Sequence, residues 1–259
     1  MEPTLSEIEI LAQQAGAILR ANYGNQQRIK HKTTQTDLVT EVDTASEKFI
    51  LDHLGLRFPD HQIVAEESGQ HGQNHAQSWY IDPLDGTVNY AHGIPIFCVS
   101  IAYAEHGQVK LGVVFDPMRE ECFSAERGKG ARLNGSPIHV AQAQELAQSL
   151  LVTGFPYDTW SNPQNNLDHY ARFAVRSQGV RRLGAAALDL CYVGAGRFDG
   201  FWELRLSPWD IAAGGLIAEE AGAVVTNIQG GQDYLSPVPS VIAANAALHS
   251  QIFAVLQGK

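Results

Sequence analysis

The stretch SWYIDPLDGTVNY, residues 78–90, constrains this chain more than any other. Its apolar head, Trp79-Tyr80-Ile81, reads as a strand that delivers Asp82 at its end. Pro83 and Gly86 favour a turn of the backbone, and Asp85 follows Asp82 by three residues. Gly86-Thr87 reads as a helix start, and the N–H groups of a helix N-terminus suit phosphate oxygens. Two carboxylates across a fixed turn, beside such a start, suit a hydrated cation together with a phosphate. The same residues are also ordinary turn chemistry, so a function needs partners elsewhere in the chain.

Taken in order, residues 3–23 predict an amphipathic helix with Leu5, Ile8, Leu11, Ala12, Ala15, Ile18 and Leu19 facing a core. Residues 26–43 are polar and threonine-rich, with Arg28, Lys30, His31 and Lys32 clustered. They form either a mobile basic loop or a flap that closes over phosphate. A second helix begins at a Thr40 or Asp43 cap, turns Ala45, Phe49, Ile50 and Leu54 inward, and ends near Gly55. A buried strand over 62–65 runs into Glu66-Glu67-Ser68. His106-Gly107 joins strands 97–105 and 109–115 in a hairpin, and residues 128–140 form a second hairpin at a sheet edge. A strand over 149–153 precedes a polar helix over 163–178, with Arg172, Arg176, Arg181 and Arg182 on a solvated or subunit-contact face. A small-residue helix over 184–193 leads to a strand over 198–204 that delivers Glu203. Ser207-Pro208, with Asp210 in the first turn, starts a helix reaching residues 221–222. Strands at 223–226 and 240–243 and a helix at 246–256 complete the chain. Strands come in clusters and do not alternate strictly with helices, which predicts layered, mixed sheets in place of a regular barrel.

The net charge of −10, from 28 acidic against 18 basic side chains, disfavours nucleic acid and anionic membrane as partners. Cys98, Cys122 and Cys191 are odd in number and lack a CxxC spacing, so neither a disulfide framework nor a zinc site is expected. The N-terminus carries acid where a secretory signal carries base, and no apolar run has membrane-spanning length. A cytoplasmic location is the expectation.

The candidate functional acids are Asp43, Glu66, Glu67, Asp82, Asp85 and Asp210, most of them where a strand or loop hands over to a turn or helix. With no His or Cys at ligand spacing, an all-oxygen set of carboxylates, the Leu84 carbonyl and water suits Mg²⁺ or Mn²⁺. Together with Gly86 and Thr87 N–H groups for phosphate, these parts describe a metal-assisted phosphoester cleft.

DLVTEVD (37–43), EES (66–68), WYIDPLDGTVNY (79–90), GAAALDLCYVGAGRFDGFWE (184–203) and PWDIAAGGLIAEEAG (208–222) occur in that order over nearly the whole chain. In these motifs the chain resembles the inositol monophosphatase family, and its bacterial branch in particular. The resemblance implies an αβαβα layered α/β fold: one domain over residues 1–259, made of two closely packed lobes with the active site between them. It implies two to three Mg²⁺, with Mn²⁺ as a substitute and Li⁺ as an inhibitor. Glu66, Asp82 and the Leu84 carbonyl would hold one ion, and Asp82, Asp85 and Asp210 a second; Glu66 would share a third. Thr87, backed by Asp43, would orient the attacking water, with Glu66, Thr87 and Asp43 as the catalytic set. Gly86 and Thr87 would bind phosphate, Asp85, Ala186 and Glu203 the inositol hydroxyls, and Lys32 would sit on a mobile loop. Glu67 receives no ligand role, and Ala185 stands where relatives often have Ser or Thr. The implied reaction is hydrolysis of inositol 1-phosphate by direct attack of metal-activated water, in a homodimer. Histidinol phosphate, fructose 1,6-bisphosphate and adenosine 3′,5′-bisphosphate are the alternative substrates on this scaffold. A binding role in transcription complexes is the non-enzymatic alternative.

Overall fold

The computed structural model describes residues 2–25, 29–31 (main chain only) and 38–258, so Lys32 lies outside the described residues. Helix α1 (Leu5–Asn22) opens on a reciprocal cap, in which the Thr4 hydroxyl accepts from Glu7 N–H and the Glu7 carboxylate accepts from Thr4 N–H. Its buried stripe is Ile8, Leu11, Ala12, Ala15 and Leu19, as the periodicity predicts. Strands β1 (Ile29–His31) and β2 (Leu38–Thr40) pair as an antiparallel ribbon. Thr40 caps helix α2 (Glu41–Arg57), which runs past Gly55. The buried face of α2 differs from the expected one: Asp43, Ser46 and Glu47 are buried beside Val42, Ile50 and Leu54, while Ala45 is exposed. Polar atoms are tolerated there because each is bonded: Ser46 donates to the Pro83 carbonyl and Glu47 accepts from Glu67 N–H at 2.8 Å.

Next come β3 (Gln62–Ala65), β4 (Gly69–His71), β5 (Gln77–Asp85), the short helix α3 (Thr87–Ala91), β6 (Cys98–Glu105), β7 (Gln108–Asp116), β8 (Glu121–Glu126), β9 (Ala131–Leu133) and β10 (Ser136–Pro137). They form one sheet in the order β10-β9-β8-β7-β6-β5-β3-β4, antiparallel except for the β3–β5 pair. The expected turn at Pro83 is instead a bulge inside β5. Pairing with β6 shifts between Asp82↔Ser100 and Asp85↔Cys98, so β5 carries one extra residue where Pro83 has no N–H for the ladder.

The remaining elements are β11 (Leu150–Thr153), α4 (Leu167–Ala174), β12 (Gly179–Arg181), α5 (Ala186–Gly194), β13 (Gly200–Glu203), α6 (Pro208–Glu220), β14 (Val224–Thr226), β15 (Val241–Ala244) and α7 (Ala246–Leu256). Helix α4 covers only part of the predicted 163–178, and Arg176 lies beyond it. The second sheet runs β12-β11-β13-β15-β14, with β11 parallel to both neighbours and the other pairs antiparallel.

The layers follow from which faces are apolar. Helices α1 and α2 cover one face of the large sheet around Trp79 and Ile81; α5 and α6 fill the space between the two sheets; α4 and α7 cover the far face of the small one. Strand β13 shows the rule: Phe201 belongs to the central core and its neighbour Trp202 to the outer one, by the two-residue alternation of a strand. This is the αβαβα order that the resemblance implies. Three free cysteines are all buried, and no helix among the described residues is long and apolar enough to cross a membrane.

The central layer is tight. A Cβ on Gly112 of β7 would stand 2.9 Å from the Ala213 carbonyl and 3.0 Å from its Cα, both backbone atoms of α6. Gly112→Val is expected to destabilise the chain by about 1–3 kcal/mol through overpacking, read as a lower urea midpoint at unchanged slope. An unchanged midpoint would show that α6 gives way freely.

Candidate active site

Both sheets aim residues into one cleft by the same device, a pair of parallel strands whose pairing stops at the cleft. Ala65 pairs with Ile81 across β3 and β5, so the next residues, Glu66 and Asp82, emerge together; Glu66 N–H donates to the Ile81 carbonyl at 3.1 Å. Thr153 pairs with Trp202 across β11 and β13, so Gly154 and Glu203 emerge together. The crevice beyond the carboxyl ends of parallel strands is the usual ligand site in such sheets. Here it is a cleft of about 480 Å³ whose lining includes Glu66, Asp82, Leu84, Asp85, Gly86, Thr87, Ala186, Glu203 and Asp210.

Helix N-termini fix three of the acids. Asp43 is the third residue of α2 and accepts from Thr40 N–H at 3.0 Å and from the Thr40 hydroxyl, closing a capping box. Its other oxygen accepts from the Thr87 hydroxyl at 3.0 Å. Asp210 does the same for α6, its Oδ2 accepting from Ser207 N–H at 2.7 Å, with Pro208 at the first helical position. Asp85 accepts from Ala187 N–H of α5 at 2.8 Å, and weakly from the Cys98 thiol at 3.7 Å. At the bulge itself, Leu84 N–H donates to Asp82 Oδ1 at 3.0 Å, and the Leu84 carbonyl accepts from the Thr87 hydroxyl at 3.1 Å. Gly86 must be glycine: its φ is +96°, and a Cβ would stand 2.8 Å from the Ile96 carbonyl.

The cleft crowds like charges. Asp82 is 2 % exposed and pushed well above the ordinary carboxylate range, first by burial and then by Glu66, Asp85 and Asp210. Asp210 is raised by burial and by Glu66. Burial raises Asp85 to about 6 against the opposing hydrogen bond from Ala187, and Asp43 to about 6 against the hydrogen bond from Thr40. Glu203, buried over Gly154, is raised to about 8 by desolvation, with Arg182 opposing. Among the described residues, no group of three His, Cys, Asp or Glu side chains stands ready to hold a metal ion, although Glu66, Asp82, Asp85 and Asp210 all line the cleft.

All the predicted site residues among the described ones therefore meet in or behind one cleft, with Asp43 behind it against Thr87. Glu67 does not line it; its N–H goes to Glu47. Sequence reasoning missed Gly154, Arg182 and Asp189, which also line it. Gly154 matters because a Cβ there would fall 2.1 Å from a Glu203 carboxylate oxygen. Its only sequence signal is a glycine directly after a strand.

Fold and cleft define a five-layer α/β protein with a carboxylate-lined crevice at the ends of its parallel strands. Comparison with known proteins sharpens this. The description "Inositol monophosphatase family" fits residues 1–259, and the chain belongs to that family, a family of phosphatases. It is 44 % identical over 239 residues to an inositol-1-monophosphatase of Synechocystis, covering 92 % of this chain and 83 % of that protein. It is 40 % identical over 247 residues to the Nus factor SuhB of Escherichia coli, covering 95 % and 92 %. The solved inositol monophosphatase of Anabaena (Nostoc) superposes with a TM-score of 0.88 at 40 % identity, covering 98 % and 95 %.

Glu203 yields a pH prediction. Its carboxyl titrates at about 8 in the folded chain against an ordinary 4.5, so between those values the folded state holds the extra proton and stability falls as pH rises. With chelator present, the wild type should unfold at lower urea at pH 8 than at pH 5. Glu203→Gln should lose part of that drop and be the more stable protein at pH 8; an unchanged pH slope would contradict the burial of this charge.

Proposed function

We propose that the chain is a Mg²⁺-dependent phosphomonoesterase, acting on inositol 1-phosphate, with residues 1–259 forming one unit and the cleft lying between its two halves. The observation that carries the reading is the convergence of Glu66, Asp82, Asp85 and Asp210 on one cleft beside the N-terminus of α3. The donor set fits the metal: it is all oxygen, which suits a hard dication, and its carboxylates raise one another's pKa, a repulsion that positive charge relieves. Glu66, Asp82 and the Leu84 carbonyl would hold one ion and Asp82, Asp85 and Asp210 a second, and Glu66 would share a third; Mn²⁺ would substitute and Li⁺ inhibit. When bound, the metal supplies an activated water and positive charge against the phosphate.

The chain's own residues do the rest. The Thr87 hydrogen points to Asp43 and the Leu84 carbonyl, which leaves the hydroxyl oxygen to accept from the attacking water and orient it. Gly86 and Thr87 N–H groups receive the phosphate oxygens. Asp85, Ala186 and Glu203 bind the alcohol half. No phosphoenzyme is required: the cysteines are buried, and Cys98 is held well above its ordinary pKa by burial. The Synechocystis and Anabaena relatives support inositol phosphate; histidinol phosphate, fructose 1,6-bisphosphate and adenosine 3′,5′-bisphosphate complete the panel to be compared by kcat/KM.

A second reading, a role in transcription complexes, draws on the relative named Nus factor SuhB and on exposed Arg172, Arg176, Arg181 and Arg182. The net charge of −10 and the intact acids favour catalysis. The homodimer expected for the family would have exposed apolar side chains such as Trp160, Leu167 and Val175 to cover.

Asp82→Asn and Asp210→Asn should each lower kcat at least about 100-fold, the scale of losing one electrostatic contact to the transition state. Mg²⁺ at 100 times its Kd should stabilise the wild type by about 2.7 kcal/mol, and Asp82→Asn by much less. Turnover near that of the wild type in either variant at saturating Mg²⁺ would sink the metal assignment.

A further inference from the structure

We propose that Asp189 is a further substrate-specificity residue, its carboxyl hydrogen-bonding a hydroxyl of the alcohol half of the phosphomonoester beside Glu203. The inference rests on the phosphomonoesterase reading and goes beyond the ligand set given there.

Asp189 lies in the first turn of α5, where its N–H donates to the Ala185 carbonyl at 3.0 Å. The residue is 1 % exposed, yet it lines the cleft, and its Oδ1 is buried with no hydrogen-bond partner. Buried polar atoms in folded chains are nearly always paired, so an orphan on a ligand cleft calls for an explanation. A capping role does not supply one. The N-terminal N–H of α5 that needs an anion is taken by Asp85 from the other half of the chain, through Ala187. An ion pair does not supply one either: Arg182 is the cation nearest in effect, and among the described residues no hydrogen bond or salt bridge joins it to Asp189.

A ligand hydroxyl does explain it. Glu203 is the charged neighbour that acts most strongly on Asp189, and both residues line the cleft. Burial, then Glu203 and Asp85, push Asp189 well above its ordinary pKa against Arg182, toward a neutral form that both donates and accepts. A hydroxyl has the same dual capacity, and neighbouring hydroxyls of a polyol would meet Glu203 and Asp189 together. Small residues line the same cleft: Gly154, over which the Glu203 carboxylate lies, with Gly184 and Ala186. A site that pairs a substrate hydroxyl rejects an analogue without it far more strongly than an apolar pocket does.

The test compares myo-inositol 1-phosphate with p-nitrophenyl phosphate, an aryl ester with no hydroxyls, in wild type, Asp189→Leu and Asp189→Asn with Mg²⁺ present. In Asp189→Leu the ratio of kcat/KM for the inositol ester over the aryl ester should fall tenfold or more. Asp189→Asn, which keeps a donor and an acceptor, should recover part of that ratio. Asp189→Leu should also melt no lower than the wild type, since it removes an unpaired buried atom at similar volume. Equal losses on both esters, or an unchanged ratio, would overturn the proposal and leave Asp189 a packing residue. Should Asp189→Leu fail to fold, Asp189→Ala takes its place: a ratio there within twofold of the wild type overturns the proposal. A wild type inactive on both esters would instead overturn the phosphatase reading, and this inference with it.

Discussion

Three helices in this fold begin with N–H groups that have no partner within the helix, and site carboxylates supply the partners. Asp43 closes the cap of α2, Asp210 that of α6, and Asp85 reaches across the chain to the start of α5. Each such cap is worth about 1 kcal/mol, and the helix dipole adds a similar amount. The caps therefore offset part of the cost of burying acids together. They also decide where the acids point. One oxygen of Asp43 is committed to Thr40, which turns the other onto Thr87. The caps of α5 and α6 aim negative charge at the crevice, and that of α2 sets Asp43 behind it against Thr87.

The Asp85 contact has a second consequence. Strand β5 and helix α5 lie in different halves of the sequence, and the 2.8 Å bond from Ala187 N–H fixes one against the other at the cleft wall. The bulge at Pro83 makes that bond possible. It adds a residue to β5, so that Asp82 and Asp85 both lie at the cleft while Leu84 between them stays fully buried. An unbulged strand would turn alternate residues to opposite faces and could not present both acids this way.

Much of this was legible in the sequence because capping signals are local. Ser207-Pro208 with Asp210, and Thr40 with Asp43, carry a helix start and its acid within four residues. The strand-to-acid handovers at Glu66, Asp82 and Glu203 are local too. Other features depend on distant partners and leave no such mark. Asp189 sits inside the apolar run LDLCYV, where a helical period hides it. Gly154 is ordinary until Glu203 lies over it. Strand β8 escaped because its short segment ECFSAE begins and ends in glutamate, and its buried middle is set by pairing with β7 and β9. Pro83 reads as a turn, and only pairing with β6 makes it a bulge. The buried polar face of α2 was misread for the same reason: Ser46 and Glu47 find their partners at Pro83 and Glu67, outside the helix.

The cleft is also divided by origin. Glu66, Asp82, Asp85, Gly86 and Thr87 come from the first 90 residues, joined by Asp210 alone from the second half. Gly154, Arg182, Ala186, Asp189 and Glu203, which surround the proposed alcohol site, all come from the second half. On the proposed reading, the phosphate and metal chemistry and the recognition of the leaving alcohol are carried by different elements. Asp85 touches both, through its place among the acids and its bond to α5. Substitution in α5 or at the end of β13 would then alter which ester is accepted without moving the capped acids that hold the phosphate end. On that reading the separation would give one scaffold a physical route to several phosphomonoesters, because Asp85 apart, the residues around the alcohol site cap no helix.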